Sequence, residues 1–197
     1  MKSDAIAFGV AGIIFGLIAG WIIGTQQAAV RPPTPAAQAA PTSGPAARVL
    51  DQAQVKAFTS VAEREPSNAV PRVQLGNLYF DAERYDEAIK WYSDALRLTP
   101  NDVDVSTDLG VSYYYTNQPD RALEQFARSL KIDQGHAKTL LNVGVVKAFG
   151  KQDLEGAQQA WEQVIKVAPE SPEGQAARRA LDSLRGAHSN QGTKPGA

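Results

Sequence analysis

The sequence predicts an all-α protein made of stacked helical hairpins, and three observations support this prediction. Three glycines at a common spacing of 34 residues each follow a leucine or a valine, and they are Gly76, Gly110 and Gly144. Tyr79 and Tyr113 lie three residues after the first two glycines, and Ala88 and Ala122 lie twelve residues after them. From residue 49 to about residue 185 the apolar residues recur with helical spacing rather than with the alternation of strands. A period of 34 residues is typical of a solenoid of helix–turn–helix units.

The composition excludes several classes of function. The chain has 197 residues, a formal net charge of −1, and no run of basic residues that would indicate binding to nucleic acid or anionic lipid. It has no cysteine and two histidines, which excludes disulfides, thiol catalysis and cysteine-ligated metals. The sequence contains no nucleophile–base pair, phosphate-binding loop or zinc-ligand spacing. We therefore expect no enzymatic activity, no cofactor and no metal.

One acidic stretch is similar to the start of a calcium-binding loop. Asp102, Asp104 and Ser106 have the spacing, but Thr107 and Tyr113 stand where such a loop needs glycine and glutamate. Acidic residues at the start of a predicted helix explain the pattern better, because the helix dipole favours negative charge there.

An apolar run near the N-terminus predicts a transmembrane anchor. The 19 residues Ala5–Ile23 contain no charged side chain, and a helix of that length spans roughly 30 Å, the thickness of a bilayer core. We assign residues 1–4 to an N-terminal tail and residues 5–24 to the anchor. A cleaved signal peptide is the alternative. A retained anchor is favoured because the run exceeds the usual apolar region of about 7–15 residues in signal peptides.

The orientation of this anchor follows from weak signals. Lys2 before the run and Arg31 after it are nearly balanced under the positive-inside rule. The short N-terminal tail and a similarity to bacterial signal-anchors favour the N-terminus inside. We therefore expect a single-pass protein of the bacterial inner membrane with its repeats in the periplasm.

The anchor contains four glycines spaced four residues apart, Gly12, Gly16, Gly20 and Gly24. Small residues at this spacing let two membrane helices approach closely. We expect helix pairing, either with a second copy or with another membrane protein. Residues 25–48 then hold five prolines among many alanines, a composition that favours an extended, semi-rigid spacer.

The residues that carry the period resemble the tetratricopeptide repeat family. Beside the glycines and alanines, each repeat has an aromatic residue in its second helix, and these are Tyr92, Phe126 and Trp161. The resemblance implies a solenoid of about three repeats over residues 69–171. A half-repeat helix in residues 49–68 precedes it, and a capping helix over residues 172–185 follows. We expect residues 186–197 to form a disordered tail.

Some positions depart from the family pattern. Arg72 and Ser106 stand where the family often has tryptophan, and Lys147 stands where an aromatic residue is usual. Ala157 follows its glycine one residue later than in the other repeats, which we assign to a longer turn over residues 150–153. The third repeat should therefore be the least regular.

In this family the first helix of each hairpin lines a concave groove that binds a partner. Carrying those positions over defines the predicted groove. Its residues are Val73, Asn77 and Phe80 from repeat one, Asp104, Thr107, Asp108, Val111 and Tyr114 from repeat two, and Lys138, Leu141, Asn142 and Val145 from repeat three. This mixture suits an amphipathic helix or an extended apolar peptide, with a basic residue near Asp104 and Asp108.

Chaperone-binding members of the family clamp a terminal carboxylate with lysine, asparagine and arginine. Asn77 and Lys138 match two of those places, whereas Val73, Asp108 and Asn142 occupy the others. Because Asp108 would repel a carboxylate, this mode is disfavoured.

Three hypotheses for function remain open. The first is a membrane-anchored adaptor that binds a partner protein in the groove, in envelope protein assembly or cytochrome c maturation. The second is a self-associating scaffold, and the third is a docking receptor that faces the cytosol. The resemblance is architectural and does not choose among pathways.

Overall fold

The computed structural model describes residues 49–191, with side chains through residue 186. The predicted anchor with its four glycines, the proline-rich spacer and the last six residues lie outside the described residues. Within residues 49–191, no helix is long and apolar enough to cross a membrane.

The described residues form eight helices and no strand, which confirms the all-α prediction. The helices are α1 (Gln52–Arg64), α2 (Val70–Asp81), α3 (Tyr85–Leu98), α4 (Val103–Tyr115), α5 (Pro119–Ile132), α6 (Ala137–Val145), α7 (Leu154–Val167) and α8 (Pro172–Gln191). A π-helical turn, Val146–Gly150, continues α6. Helices α2–α3, α4–α5 and α6–α7 pair as hairpins, and each helix also packs against the next one along the chain.

In each hairpin an aromatic ring of the second helix lies directly on the glycine of the first helix. The pairs are Gly76 with Tyr92, Gly110 with Phe126, and Gly144 with Trp161. A Cβ atom at any of the three glycines would lie 2.2–2.4 Å from the ring, which is closer than any non-bonded contact between carbons. The rings are at most 1% exposed. The period seen in the sequence is therefore a period of helix-to-helix contacts.

In the first two repeats, polar residues stand where the family often has tryptophan, and they form hydrogen bonds. The guanidinium group of Arg72 donates to the carbonyl oxygens of Asn68 (2.6 Å) and Ala62 (3.2 Å), which ties α1 to repeat one. In repeat two the buried Ser106 hydroxyl accepts from Gln125 Nε2 (2.7 Å) and from Ser129 Oγ (2.8 Å). Each buried polar group therefore has a partner, as burial requires.

Aspartate side chains cap the N-termini of α4 and α7. Asp102 is the N-cap of α4 and accepts from the backbone N–H of Val105 at 3.0 Å. Asp153 caps α7 in the same way through Gly156 at 2.8 Å. Each carboxylate accepts from a backbone N–H of the first helical turn that has no partner within the helix. Asp102 therefore lies at a helix start, as the sequence analysis predicted for this acidic stretch.

The turns inside the three hairpins share one backbone feature. One residue in each turn adopts the left-handed region, and these residues are Glu83 (φ 58°), Asn117 (φ 58°) and Gln152 (φ 57°). In the first two turns the following N–H donates to a carbonyl five residues back, from Arg84 to Tyr79 (2.8 Å) and from Gln118 to Tyr113 (2.9 Å).

The extra residue of repeat three lies in the helix and not in the turn. The equivalent bond runs from Asp153 N–H to the carbonyl oxygen of Lys147, six residues back, at 2.8 Å. The π-helical turn absorbs this residue, with Lys151 N–H donating to Val146 O at 3.0 Å. The prediction of a longer turn over residues 150–153 was wrong, because a widened helical turn keeps every backbone group bonded.

The closing helix is longer than predicted. It begins at Pro172, where the sequence places the capping helix, and Ser171 Oγ accepts from Gly174 N–H at 3.0 Å. It continues past Arg185 to Gln191, six residues beyond the predicted end of the capping helix. A single glycine inside a helix costs only about 1 kcal/mol, and Gly186 does not end this one.

Candidate functional site

The predicted groove is accessible over repeats one and two. Val73, Asn77 and Phe80 on α2 are half-buried, as are Asp108, Val111 and Tyr114 on α4. The Asp104 side chain is 69% exposed. Val70, one turn before Val73, is 62% exposed. The two helices thus present apolar and aromatic side chains to solvent beside two carboxylates.

Four predicted groove residues are buried, and this corrects their assignment. They are Thr107, Leu141, Asn142 and Val145. The last three belong to α6, which packs against α8. Helix α8 begins 35 residues after α6, where the first helix of a fourth unit would lie. The helix predicted as an end cap therefore also packs against α6.

An ion pair connects the second and third repeats within the predicted groove. Lys138 Nζ lies 2.7 Å from Asp108 Oδ1, and both side chains are partly exposed. Burial raises the pKa of Asp108 more than Lys138 lowers it. Burial lowers the pKa of Lys138, but the charge and hydrogen bond of Asp108 outweigh this effect, so the pKa is raised. The ammonium group of Lys138 is thus paired with the carboxylate of Asp108.

Asn77 in the predicted groove holds the ring that packs on its own repeat's glycine. The hydroxyl of Tyr92 donates to Asn77 Oδ1 at 2.8 Å. Burial raises the pKa of Tyr92, and the nearby charges of Asp108 and Asp81 add to this shift. The bond therefore joins the predicted groove to the interior of repeat one.

A chain of hydrogen bonds beneath the predicted groove links α4 to α6. Thr107 Oγ1 donates to the carbonyl oxygen of Val103 (2.7 Å) and lies 2.6 Å from Thr139 Oγ1. Thr139 must then donate to Thr107, and His136 Nδ1, 2.7 Å from Thr139, must donate to Thr139. In neutral His136 this leaves the lone pair of Nε2 facing Asp104 Oδ1 at 3.4 Å. His136 lies at the N-cap of α6, between repeats two and three, and its partners could not be read from the sequence.

An aromatic cluster borders the predicted groove at the hairpin turns of repeats one and two. Tyr85 and Tyr115 stack with ring centroids 4.4 Å apart, and Phe80 lies edge-on to both. Burial raises the pKa of Tyr85 to about 12. The sequence analysis missed Tyr85, although its place five residues after Phe80, across a tight turn, could have indicated it.

The described residues contain no cluster of metal ligands. Within residues 49–191 no group of three or more histidine, aspartate or glutamate side chains is arranged to hold a metal ion. What the groove over α2 and α4 can do is contact another polypeptide through apolar, aromatic and acidic side chains.

Comparisons with known proteins match this geometry. A family model described as a TPR repeat matches residues 76–117. The chain is 25% identical over 109 residues to the Hsp70-Hsp90 organizing protein 3 of Arabidopsis thaliana. It is 27% identical over 122 residues to the BBSome complex member BBS4 of Bos taurus. These alignments cover 55% and 62% of this chain but 19% and 23% of the relatives.

Solved structures show the same fold. The Sgt2 TPR domain from Aspergillus fumigatus has a TM-score of 0.57 at 24% identity, covering 66% of this chain and 85% of that domain. MamA has a TM-score of 0.56 at 16% identity, covering 70% and 88%. The first TPR of Spaghetti (RPAP3), bound to the HSP90 peptide SRMEEVD, has a TM-score of 0.55 at 24% identity, covering 61% and 93%.

The comparisons support the tetratricopeptide repeat family. They agree with the glycine–aromatic pairing of each hairpin and with helices α2 and α4 as the first helices of tetratricopeptide repeats. The chain spans about a fifth of the length of the curated relatives, so their cellular roles do not transfer to it directly.

Proposed function

We propose that this protein is a non-enzymatic interaction module that binds a segment of a partner protein on the predicted groove over repeats one and two. One observation carries the proposal. On α2 and α4 the apolar groove residues Val73, Phe80, Val111 and Tyr114 are left partly exposed, whereas Leu141 and Val145 on α6, which packs against α8, are buried. Partly exposed apolar and aromatic side chains around a groove are the usual anchors of protein interfaces.

Structural neighbours support a peptide as the ligand. The first TPR of Spaghetti is bound to the HSP90 peptide SRMEEVD. The second TPR domain of human RPAP3 is in complex with the HSP70 peptide SGPTIEEVD. The tetratricopeptide fold therefore holds short peptides in these proteins, and this chain presents a comparable face.

The ligand of this chain differs from those acidic peptides. Lys138 would be the lysine of a carboxylate clamp, but its ammonium is 2.7 Å from Asp108. A terminal carboxylate would have to displace that partner and approach a second carboxylate, Asp104. The electrostatics therefore support the proposal of a groove without a clamp.

A pair of substitutions tests the binding surface. We expect Val111→Glu with Tyr114→Ala to abolish capture of the partner, measured by cross-linking in native membranes, while helicity and melting temperature stay nearly unchanged. Val167→Glu is the matched control, because Val167 is 39% exposed on α7, a second helix away from the groove. Undiminished capture by the double variant would place the binding site elsewhere.

The finer part of the proposal concerns the membrane. Residues 5–24 would anchor the module in a bacterial inner membrane, residues 25–48 would hold it off the bilayer, and the repeats would lie in the periplasm. Envelope protein assembly and cytochrome c maturation are the candidate processes. The apolar run and the prolines support this arrangement. A reporter fused after Ala197 should be active only outside the membrane, and activity inside would contradict the orientation.

The four anchor glycines would pair this helix with a second membrane helix. We expect Gly16→Leu with Gly20→Leu to reduce association in a membrane two-hybrid assay. Association at the level of the natural sequence would remove the glycine spacing as its cause.

A further inference from the structure

We infer that the partner segment brings a lysine or arginine side chain to Asp104 and Asp108, with apolar side chains next to it. This inference rests on the proposed function and names the chemistry of the ligand at the same groove. It follows from the shape and the charge of one helix face.

The face of α4 is divided into an acidic half and an apolar half. Asp104 and Asp108 are four residues apart, and Val111 and Tyr114 follow at three-residue steps. This spacing places the four side chains along one side of the helix. Val73 and Phe80 on the neighbouring α2 are also partly exposed. A partner segment seated on the apolar half therefore extends over the two carboxylates.

The acidic half has an excess of negative charge. Among residues 49–191 the ammonium group in contact with this pair is that of Lys138, which meets Asp108 at 2.7 Å. The other neighbour is His136, whose Nε2 lies 3.4 Å from Asp104 Oδ1. Two carboxylates thus face one lysine and one imidazole, and the Asp104 side chain remains 69% exposed. A cation from the partner complements this charge, whereas an anion is repelled.

The apolar neighbours favour a side chain with an aliphatic stem. Lysine and arginine bury their methylene groups along apolar surface while the charged head reaches a polar group. Here the stem would lie over Val111 and the head would lie at Asp104. A bare metal ion is a poorer match, since no group of three or more acidic or histidine ligands is arranged for one within the described residues.

The ligand can be selected without knowing its natural source. The full-length protein, held in detergent micelles, is used to select binders from a displayed library of random 16-residue peptides. The best binder is synthesised with an amidated C-terminus, and again with its lysine or arginine replaced by norleucine or by glutamate. The acidic peptide SRMEEVD is measured beside them. Affinities come from fluorescence anisotropy at low and high salt.

Substitutions in the protein locate the charge. Asp104→Asn removes the exposed carboxylate with little risk to folding, and Asp108→Asn removes the one bonded to Lys138. Glu124→Gln on α5 is the matched control, because Glu124 is an exposed acid outside the predicted groove. A charge exchange, Asp104→Lys tested against the glutamate form of the peptide, asks whether the two charges meet directly.

The expected result is a set of selected peptides with lysine or arginine beside apolar residues. Norleucine in the peptide and Asp104→Asn in the protein should each weaken binding by about fivefold or more, with weaker binding in high salt. Glu124→Gln should change it less than about twofold. The charge exchange should restore part of the loss. SRMEEVD should bind weakly or not at all.

Two other results would overturn the inference, and they can be told apart. Selected peptides that are acidic, that need a free C-terminal carboxylate, or that bind Asp104→Asn unchanged would refute the cation while leaving a groove that binds peptides. If the library yields no peptide whose binding is lost in the Val111→Glu, Tyr114→Ala variant, the proposed function fails together with the inference.

Discussion

Repeats one and two differ from repeat three, although all three hairpins use the same internal contact. In each hairpin a ring from the second helix covers a glycine in the first. Repeat three has one residue more, and it retains both the glycine–Trp161 contact and the left-handed turn residue Gln152 by widening a single helical turn. The tight packing between the two helices is therefore the same in all three hairpins. The extra residue of repeat three is accommodated by the backbone near the end of a helix.

The same regions also differ at the predicted groove. Val73, Phe80, Val111 and Tyr114 on α2 and α4 are partly exposed, whereas Leu141 and Val145 on α6, which packs against α8, are buried. Position within the solenoid, and not residue type alone, therefore decides how far a side chain of the predicted groove is buried.

Removal of α8 should have the largest effect on the difference in burial between α6 and helices α2 and α4. A chain that ends at Glu170 uncovers the faces of α6 and α7, and we expect it to lose more than about 3 kcal/mol of stability because several buried apolar side chains become exposed. Urea unfolding measures the loss, and hydrogen exchange should show it in α6 and α7 before α2 and α3. A chain that ends at Gln191 is the control. Equal protection of α6 in both chains would mean that α8 does not stabilise repeat three.

A methyl group on the third glycine tests the shared contact. Gly144→Ala places Cβ 2.2 Å from the Trp161 ring, whose Nε1–H donates to Leu141 O at 3.1 Å and holds the ring in place. Overpacking should cost more than the roughly 1 kcal/mol gained in helix propensity, for a net loss of about 2 kcal/mol.

The control for this change is another glycine in a helix. At Gly186 an added Cβ meets nothing within 4 Å, so Gly186→Ala should be neutral or stabilise the protein by up to about 1 kcal/mol. Thermal unfolding of both variants measures the contrast. A stable Gly144→Ala protein would show that the ring can move aside.

Tyr92 and Phe126, which pack on the glycines of repeats one and two, differ by one hydroxyl group and can each be replaced by the other residue type. Tyr92 donates to Asn77, whereas Phe126 belongs to the repeat that has Val111 at the equivalent position. Tyr92→Phe should cost about 0.5–1.5 kcal/mol. Phe126→Tyr should cost about 1–3 kcal/mol, because its buried hydroxyl would lack an acceptor. Adding Val111→Asn to Phe126→Tyr should recover stability in urea unfolding, and no recovery would mean that the two positions do not couple.

High pH should act on repeats one and two. All six tyrosines of the chain lie there, and burial raises the pKa of Tyr85 to about 12. A folded pKa above the unfolded value of about 10 adds stability below pH 10 that is lost as the pH rises through 12. Phenolate absorbance should follow unfolding of these repeats, and Tyr85→Phe should move the transition to higher pH. An unchanged transition would show that Tyr85 does not control it.

The periodic contacts of this protein could be predicted from its amino-acid sequence. Each helical hairpin needs a glycine, an aromatic residue and an alanine at fixed intervals. These requirements are local, and the same pattern recurs in every repeat. Capping residues such as Asp102 and Ser171 likewise act within a few residues. For this reason the helices and their pairing in hairpins could be read from the chain.

Which positions of the predicted groove are open depends on the tertiary structure. Val111 and Val145 are the same residue type at equivalent repeat positions, but Val111 is partly exposed on α4, whereas Val145 is buried on α6, against which α8 packs. The bond between Tyr92 and Asn77, the pair of Lys138 with Asp108, and the chain of hydrogen bonds from His136 to Val103 join residues that are 15, 30 and 33 positions apart. Such contacts depend on how whole helices lie in space, and no local pattern in the sequence records that.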